Sequence, residues 1–159
     1  MDVNYLFPHR FKKIGWIILV PSVLFGLFIL ITDYEPALFD MKVFAISGDT
    51  LSLTGNKIFA FMNDNILNEI TGILVLVSSI LVAFSKEETE DEYISKIRLE
   101  SLVWAVYFNY GILLFSFLFF YGFSFLWVMI FNMFTILLFF ILRFNWQIGK
   151  LKKLEIHEE

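Results

Sequence analysis

LVWAVYFNYGILLFSFLFFYGFSFLWVMIFNMFTILLFFIL, residues 102–142, is an apolar run of 41 residues. As one helix it would reach roughly 60 Å, about twice the hydrocarbon thickness of a bilayer. It must therefore turn. Gly122 with Ser124 is the turn chemistry near its middle. We read two spans, 102–121 and 123–142, joined by a tight helical hairpin.

Two further apolar stretches lie upstream. IGWIILVPSVLFGLFILI (14–31) carries no charge, and ILNEITGILVLVSSILVAF (66–84) is polar only in its first turns and at two serines. Each is long enough to cross a bilayer. Arg10, Lys12 and Lys13 would suit a signal peptide, but the apolar stretch is too long and Ile31-Thr32-Asp33-Tyr34 is no small-residue cleavage site. We expect a retained anchor. The composition agrees: 58% of the 159 residues are hydrophobic, only 18% are charged, and mean hydropathy is +0.74. A soluble domain is about 45–50% apolar and about 25% charged. These values exclude a disordered chain, a collagen and an ordinary soluble enzyme. Cysteine is absent, which removes disulfides and Cys-based zinc or iron–sulfur sites.

Basic residues set the orientation of such a chain. With four spans both termini share a side with the 85–101 loop, and that side holds ten Lys and Arg against two in the 32–65 loop. The expectation is an all-α membrane protein, a four-helix transmembrane bundle with N-in/C-in topology, forming a single membrane domain over residues 1–159. Trp16, Trp104 and Trp146 lie near the cytoplasmic ends of their spans, and Trp127 near the outer end of the fourth.

The outer loop, 32–65, contains a near-repeat, Lys42–Ile46 and Lys57–Phe61, each suited to a short strand. Gly48-Asp49 and Gly55-Asn56 supply turns, so a small β-hairpin is predicted. Its five acids suit a solvated loop better than a ligand-binding cap. Asn63-Asp64-Asn65 lacks the alternating ligand spacing of a calcium loop and fits an N-cap for the second span.

In the cytoplasmic loop, Thr89 and Glu92 fit a capping box. Ile94, Ile97 and Ser101 share a helical face, as do Tyr93 and Ile97, which predicts an amphipathic helix running into the third span. The acidic block at Glu87–Glu92 is repelled by anionic headgroups. It should stand off the membrane or pair with the basic ends at Arg10–Lys13 or Lys150–Lys153.

Each span carries small or polar residues at helical spacing: Gly15, Ser22 and Gly26; Glu69, Gly72, Ser79 and Ala83; Ser101, Ala105, Asn109 and Ser116; Ser124, Asn132 and Thr135. Small residues let helix backbones approach, and polar ones bond between helices, so these stripes should face one another. Counted from Gly122, Asn109 lies 13 residues back and Asn132 lies 10 on. Their depths then differ by only about 4–5 Å, and their carboxamides can meet. Interhelical glue is the plain reading; a polar site formed by Glu69, Ser79, Asn109 and Asn132 is the sharper one. Glu69 is the single acid within a span, one turn from its outer end, where it can hydrate or cap. Pro21 should kink the first span.

Nothing in the sequence forms a catalytic or metal-binding pattern, and no cofactor is implied. A pI of 5.2 without a basic aromatic patch argues against nucleic acid.

TEDEYISKIRLESLVWAVYFNYGILL (89–114) and FNMFTILLFFILRFNW (131–146), with FPHRFKKIGWIILVPS (7–22) and KVFAISGD (42–49), resemble a group of small membrane proteins from Bacteroidota. Similar proteins are often encoded beside a compact helix-turn-helix repressor. The resemblance implies a bacterial inner-membrane location and a regulatory role, but no activity.

Two functions from different classes follow. In the first, the protein is a non-enzymatic regulatory or interaction protein of the lipid bilayer, with Glu90, Asp91, Glu92, Lys96 and Arg98 as the surface for a cytoplasmic protein partner. In the second, it is a small channel or transporter, active as a homo-oligomer, with Glu69, Ser79, Asn109 and Asn132 lining the path. A membrane enzyme acting on lipid or quinone carries least weight.

Overall fold

The computed structural model describes residues 5–32, 34–48 and 57–158. In chain order the elements are α1 (His9–Thr32), one 3-10 turn (Ala37–Phe39), β1 (Asp40–Gly48), β2 (Lys57–Asn65), α2 (Leu67–Ala83), α3 (Glu92–Phe119) and α4 (Phe123–Glu158). The long apolar run breaks at Gly122, which takes φ +66°, a left-handed conformation that costs glycine little. α3 ends three residues before it and α4 begins at the next residue.

α1, α3 and α4 are long and apolar enough to cross a membrane. α2 is as apolar but has 17 residues. That is about 25 Å of helix, at the short end of what spans a bilayer.

Three helices extend beyond the limits set by hydropathy. α1 starts at His9 rather than 14 and α4 continues to Glu158 rather than ending at 142, while α3 starts at Glu92, with the amphipathic helix expected to run into the third span. Hydropathy marks where water ends, whereas the backbone responds to helix propensity. Lys, Arg, Glu and Leu at these ends are all good helix formers.

The chain divides into two compact units, Met1–Ile18 with Leu76–Glu159, and Leu19–Val75. In the first, α3 and α4 pack as an antiparallel hairpin. Ser101, Ala105, Asn109 and Ser116 are all buried, as their spacing predicts, with Ile94 and Ile97 continuing the face. Tyr93 departs from expectation. It is exposed, because the buried stripe is narrower than the arc joining it to Ile97. Phe140, Ile141, Phe144 and Ile148 are buried in α4. Ser124, expected on a packing stripe, is exposed close to the hairpin tip. Within the same unit α1 approaches α2 closely at Gly15, where a Cβ would stand 2.7 Å from Val82 Cγ2.

In the second unit β1 and β2 pair antiparallel, from Asp40↔Asn65 to Gly48↔Lys57. This is the predicted hairpin, longer by several residues; the proposed turn at 49–56 lies outside the described residues. Phe44 and Phe61 face each other across the ladder, 5.4 Å between ring centroids. Asn65 joins three elements. Its Nδ2 donates to the Pro36 carbonyl and to Asp40, and its Oδ1 accepts from Leu67 N at 3.2 Å, capping α2. α1 runs through Pro21 unbroken as a helix.

The surface is unlike that of a soluble fold. Ser78, Ser79, Ser85 and Ser101 are almost fully buried, while Ile17, Leu24 and Phe119 are more than half exposed. Water would penalise so broad an apolar surface heavily.

Candidate functional site

The sequence expects a helix cap at Thr89. The structure corrects this: the N-cap of α3 is Asp91, whose extended backbone lets its carboxylate accept from Ile94 N at 2.8 Å. Thr89 lies too far upstream, and the carboxylate one residue before the cap has another task. Glu90 grips the Arg98 guanidinium with both oxygens, at 2.8 and 3.2 Å, and also accepts from Glu87 N. Such a fork-to-fork contact fixes geometry as well as charge.

A clasp is built around this pair. Phe7 and Ser85 form a parallel backbone bridge, with Phe7 N donating to the Phe84 carbonyl and Lys86 N to that of Phe7. The bridge carries α1 into place, so that Lys12 bonds to Glu87, with both side chains largely buried. Arg98 reaches the Ser85 carbonyl. Phe144 of α4 lies beneath. Lys12 Nζ is 5.7 Å and the Arg98 guanidinium 5.1 Å from its ring centroid. Two cations on one buried ring are favourable because the ring face is negative and little water competes there. The residues before α1, the 85–91 segment and parts of α3 and α4 are thus tied together at one end of the unit.

Of the surface residues picked from the sequence, Glu90 and Arg98 bond to each other in this clasp and Asp91 caps α3, although Glu90 and Asp91 remain exposed. Glu92 and Lys96 stay exposed, and exposed Tyr93 and Leu99 adjoin them. Lys12, Glu87 and Phe144 were not among the candidates. An acid-to-base pairing was legible as one of two alternatives, but nothing marks Phe144 among 21 phenylalanines.

Of the intramembrane candidates, Asn109 and Asn132 meet. Asn109 Nδ2 donates to Asn132 Oδ1, and Asn132 Nδ2 to the Asn109 carbonyl, each at 3.3 Å. Asn109 Oδ1 and Ser79 Oγ are buried without a hydrogen-bond partner among the described residues. Glu69 belongs to the other unit and is exposed in the first turn of α2. The asparagine pair makes a measurable prediction. In a double-mutant cycle with Asn109→Leu and Asn132→Leu, followed by unfolding in mild detergent, the coupling should be about 0.6–1.7 kcal/mol. A coupling near zero would mean that the amides do not hold the hairpin.

Among the described residues no group of three or more His, Asp or Glu is placed to hold a metal ion. Comparisons with protein-family models, with curated proteins and with solved structures find no match.

Proposed function

We propose that this chain is a four-span protein of a bacterial inner membrane, with both termini cytoplasmic, and that it acts without catalysis as a docking element for a soluble regulatory partner. The Phe7–Ser85 bridge carries the topology. Phe7 precedes α1 and Ser85 follows α2, yet their backbones are hydrogen-bonded. If α1 crosses the bilayer, α2 must cross back, short as it is. The ten-to-two distribution of Lys and Arg supports a cytoplasmic side for the clasped end.

The docking role follows from how the clasp is used. It spends Glu87, Glu90 and Arg98 on holding the first turns of α3 rigid. Those turns leave Glu92, Tyr93, Lys96 and Leu99 exposed. A rigid helix end with mixed charge and two apolar side chains suits a protein surface better than a catalytic centre. The resemblance to proteins encoded beside helix-turn-helix repressors supports a regulator of that class as the partner.

The test is affinity purification in mild detergent of the wild type and of Glu92→Lys/Lys96→Glu. A stoichiometric partner should be retained by the first and lost from the second, with the melting temperature unchanged. A homo-oligomer without a partner, conducting ions in liposomes through a path sensitive to Asn109→Leu, would replace this reading with a channel.

A further inference from the structure

α3 and α4 share an open groove of about 610 Å³, lined by Trp104, Phe108, Gly111 and Phe115 of α3 and by Phe139 and Arg143 of α4. The α3 residues recur at i, i+4, i+7 and i+11, one face of a helix. Phe108 and Phe139, both in the lining, stack on each other, 4.2 Å between centroids. The groove is open at Gly111: a Cβ there would meet nothing within 4 Å. At one end the Arg143 guanidinium lies 4.9 Å from the Trp104 ring, and Arg143 forms no ion pair with any described residue.

The dimensions and chemistry are those of a lipid. From Trp104 to Phe115 the helix rises about 17 Å, close to half of a hydrocarbon core of about 30 Å. The groove is therefore about one leaflet deep. Its wall is aromatic and apolar, and its single cation stands beside a tryptophan at the end that continues into the clasp. We propose that this groove holds an anionic phospholipid, one acyl chain lying along α3 and the headgroup phosphate at Arg143. The inference rests on the reading that α3 and α4 span the membrane. A zwitterionic lipid has the same chains but offers Arg143 no net charge, so the cation gives the groove a preference.

The experiment uses the full chain with Trp104 as its sole tryptophan (Trp16→Phe, Trp127→Phe, Trp146→Phe), reconstituted in phosphatidylcholine bilayers. Trp104 emission is quenched with brominated-chain phosphatidylglycerol or brominated-chain phosphatidylcholine at equal mole fraction. The anionic lipid should quench with about fivefold higher apparent affinity, the worth of one basic side chain near an anionic surface. Arg143→Gln should remove that preference while leaving quenching by phosphatidylcholine unchanged. Gly111→Leu, which fills the groove, should weaken quenching by both. Equal quenching by the two lipids in the wild-type groove would overturn the site and leave the spanning reading in place. No quenching by either would overturn both. Quenching that appears only as the protein is diluted in the bilayer would show a second copy covering the groove, which also overturns the lipid site.

Discussion

Lys12→Met should destabilise the protein by about 3 kcal/mol, the cost of stranding one member of a buried ion pair. The Lys12 and Glu87 side chains are only 12% and 7% exposed. Removing the ammonium leaves a carboxylate that water cannot reach and that Arg98, occupied with Glu90, does not serve. Glu87→Leu should cost a similar amount for the converse reason, leaving the ammonium with only Phe144. The double variant Lys12→Met/Glu87→Leu should recover most of the loss, because replacing both charges by apolar groups is often neutral. Unfolding in mild detergent, followed by circular dichroism, measures all three. The magnitude decides between two pictures. An exposed pair contributes about 0.2–1 kcal/mol and weakens with salt. A loss below about 1 kcal/mol, or additive single losses, would mean that the clasp is solvated and not a structural lock.

Gly15→Leu should be at least as damaging, by a different mechanism. A Cβ at Gly15 would lie 2.7 Å from Val82 Cγ2 and 3.1 Å from Val82 N. The first atom belongs to a stiff β-branched side chain and the second to the backbone of α2, so neither can yield without moving a helix. Gly15→Ala should cost about 1–3 kcal/mol, as overpacking does, and Gly15→Leu more. Adding Val82→Ala should restore part of the loss but not the part due to the backbone nitrogen. Gly111→Ala is the control. Nothing lies within 4 Å of its Cβ, and alanine in a helix gains up to about 1 kcal/mol over glycine. Melting temperatures in one detergent rank the set. Equal effects at positions 15 and 111 would contradict the close approach of α1 and α2.

These two contacts show where sequence reading reaches and where it stops. The helices, the break at Gly122 and the buried stripe of α3 were legible, because hydropathy and a 3.6-residue period act through nearest neighbours along the chain. Asn109 and Asn132 were legible as a pair because a short hairpin fixes their depth. The hairpin β1–β2 was legible from its near-repeat. Lys12 and Glu87 are 75 residues apart, and the Phe7–Ser85 bridge, a pairing of backbone atoms with no sequence signature, helps bring them together. Asp91 took the cap from Thr89 because the conformation of the loop, not its composition, selects which side chain faces the free N–H groups. Ser124 and Glu69 fit packing stripes by spacing, yet both are exposed. Each lies in the first turn of its helix, where periodicity continues but neighbours need not.

If α2 crosses the membrane, Phe7, the 85–91 segment and the C-terminal helix end lie on one side. The absence of native cysteine makes this directly measurable. Glu35, Glu88 and Lys153 are all exposed, and each can be replaced singly by cysteine and treated with a membrane-impermeant maleimide in right-side-out membranes. Glu35→Cys should be labelled in intact membranes, and Glu88→Cys and Lys153→Cys only after permeabilisation. Labelling of Glu35→Cys and Glu88→Cys from the same side would mean that α2 does not cross, and would contradict both the four-span topology and the Phe7–Ser85 clasp on which it rests.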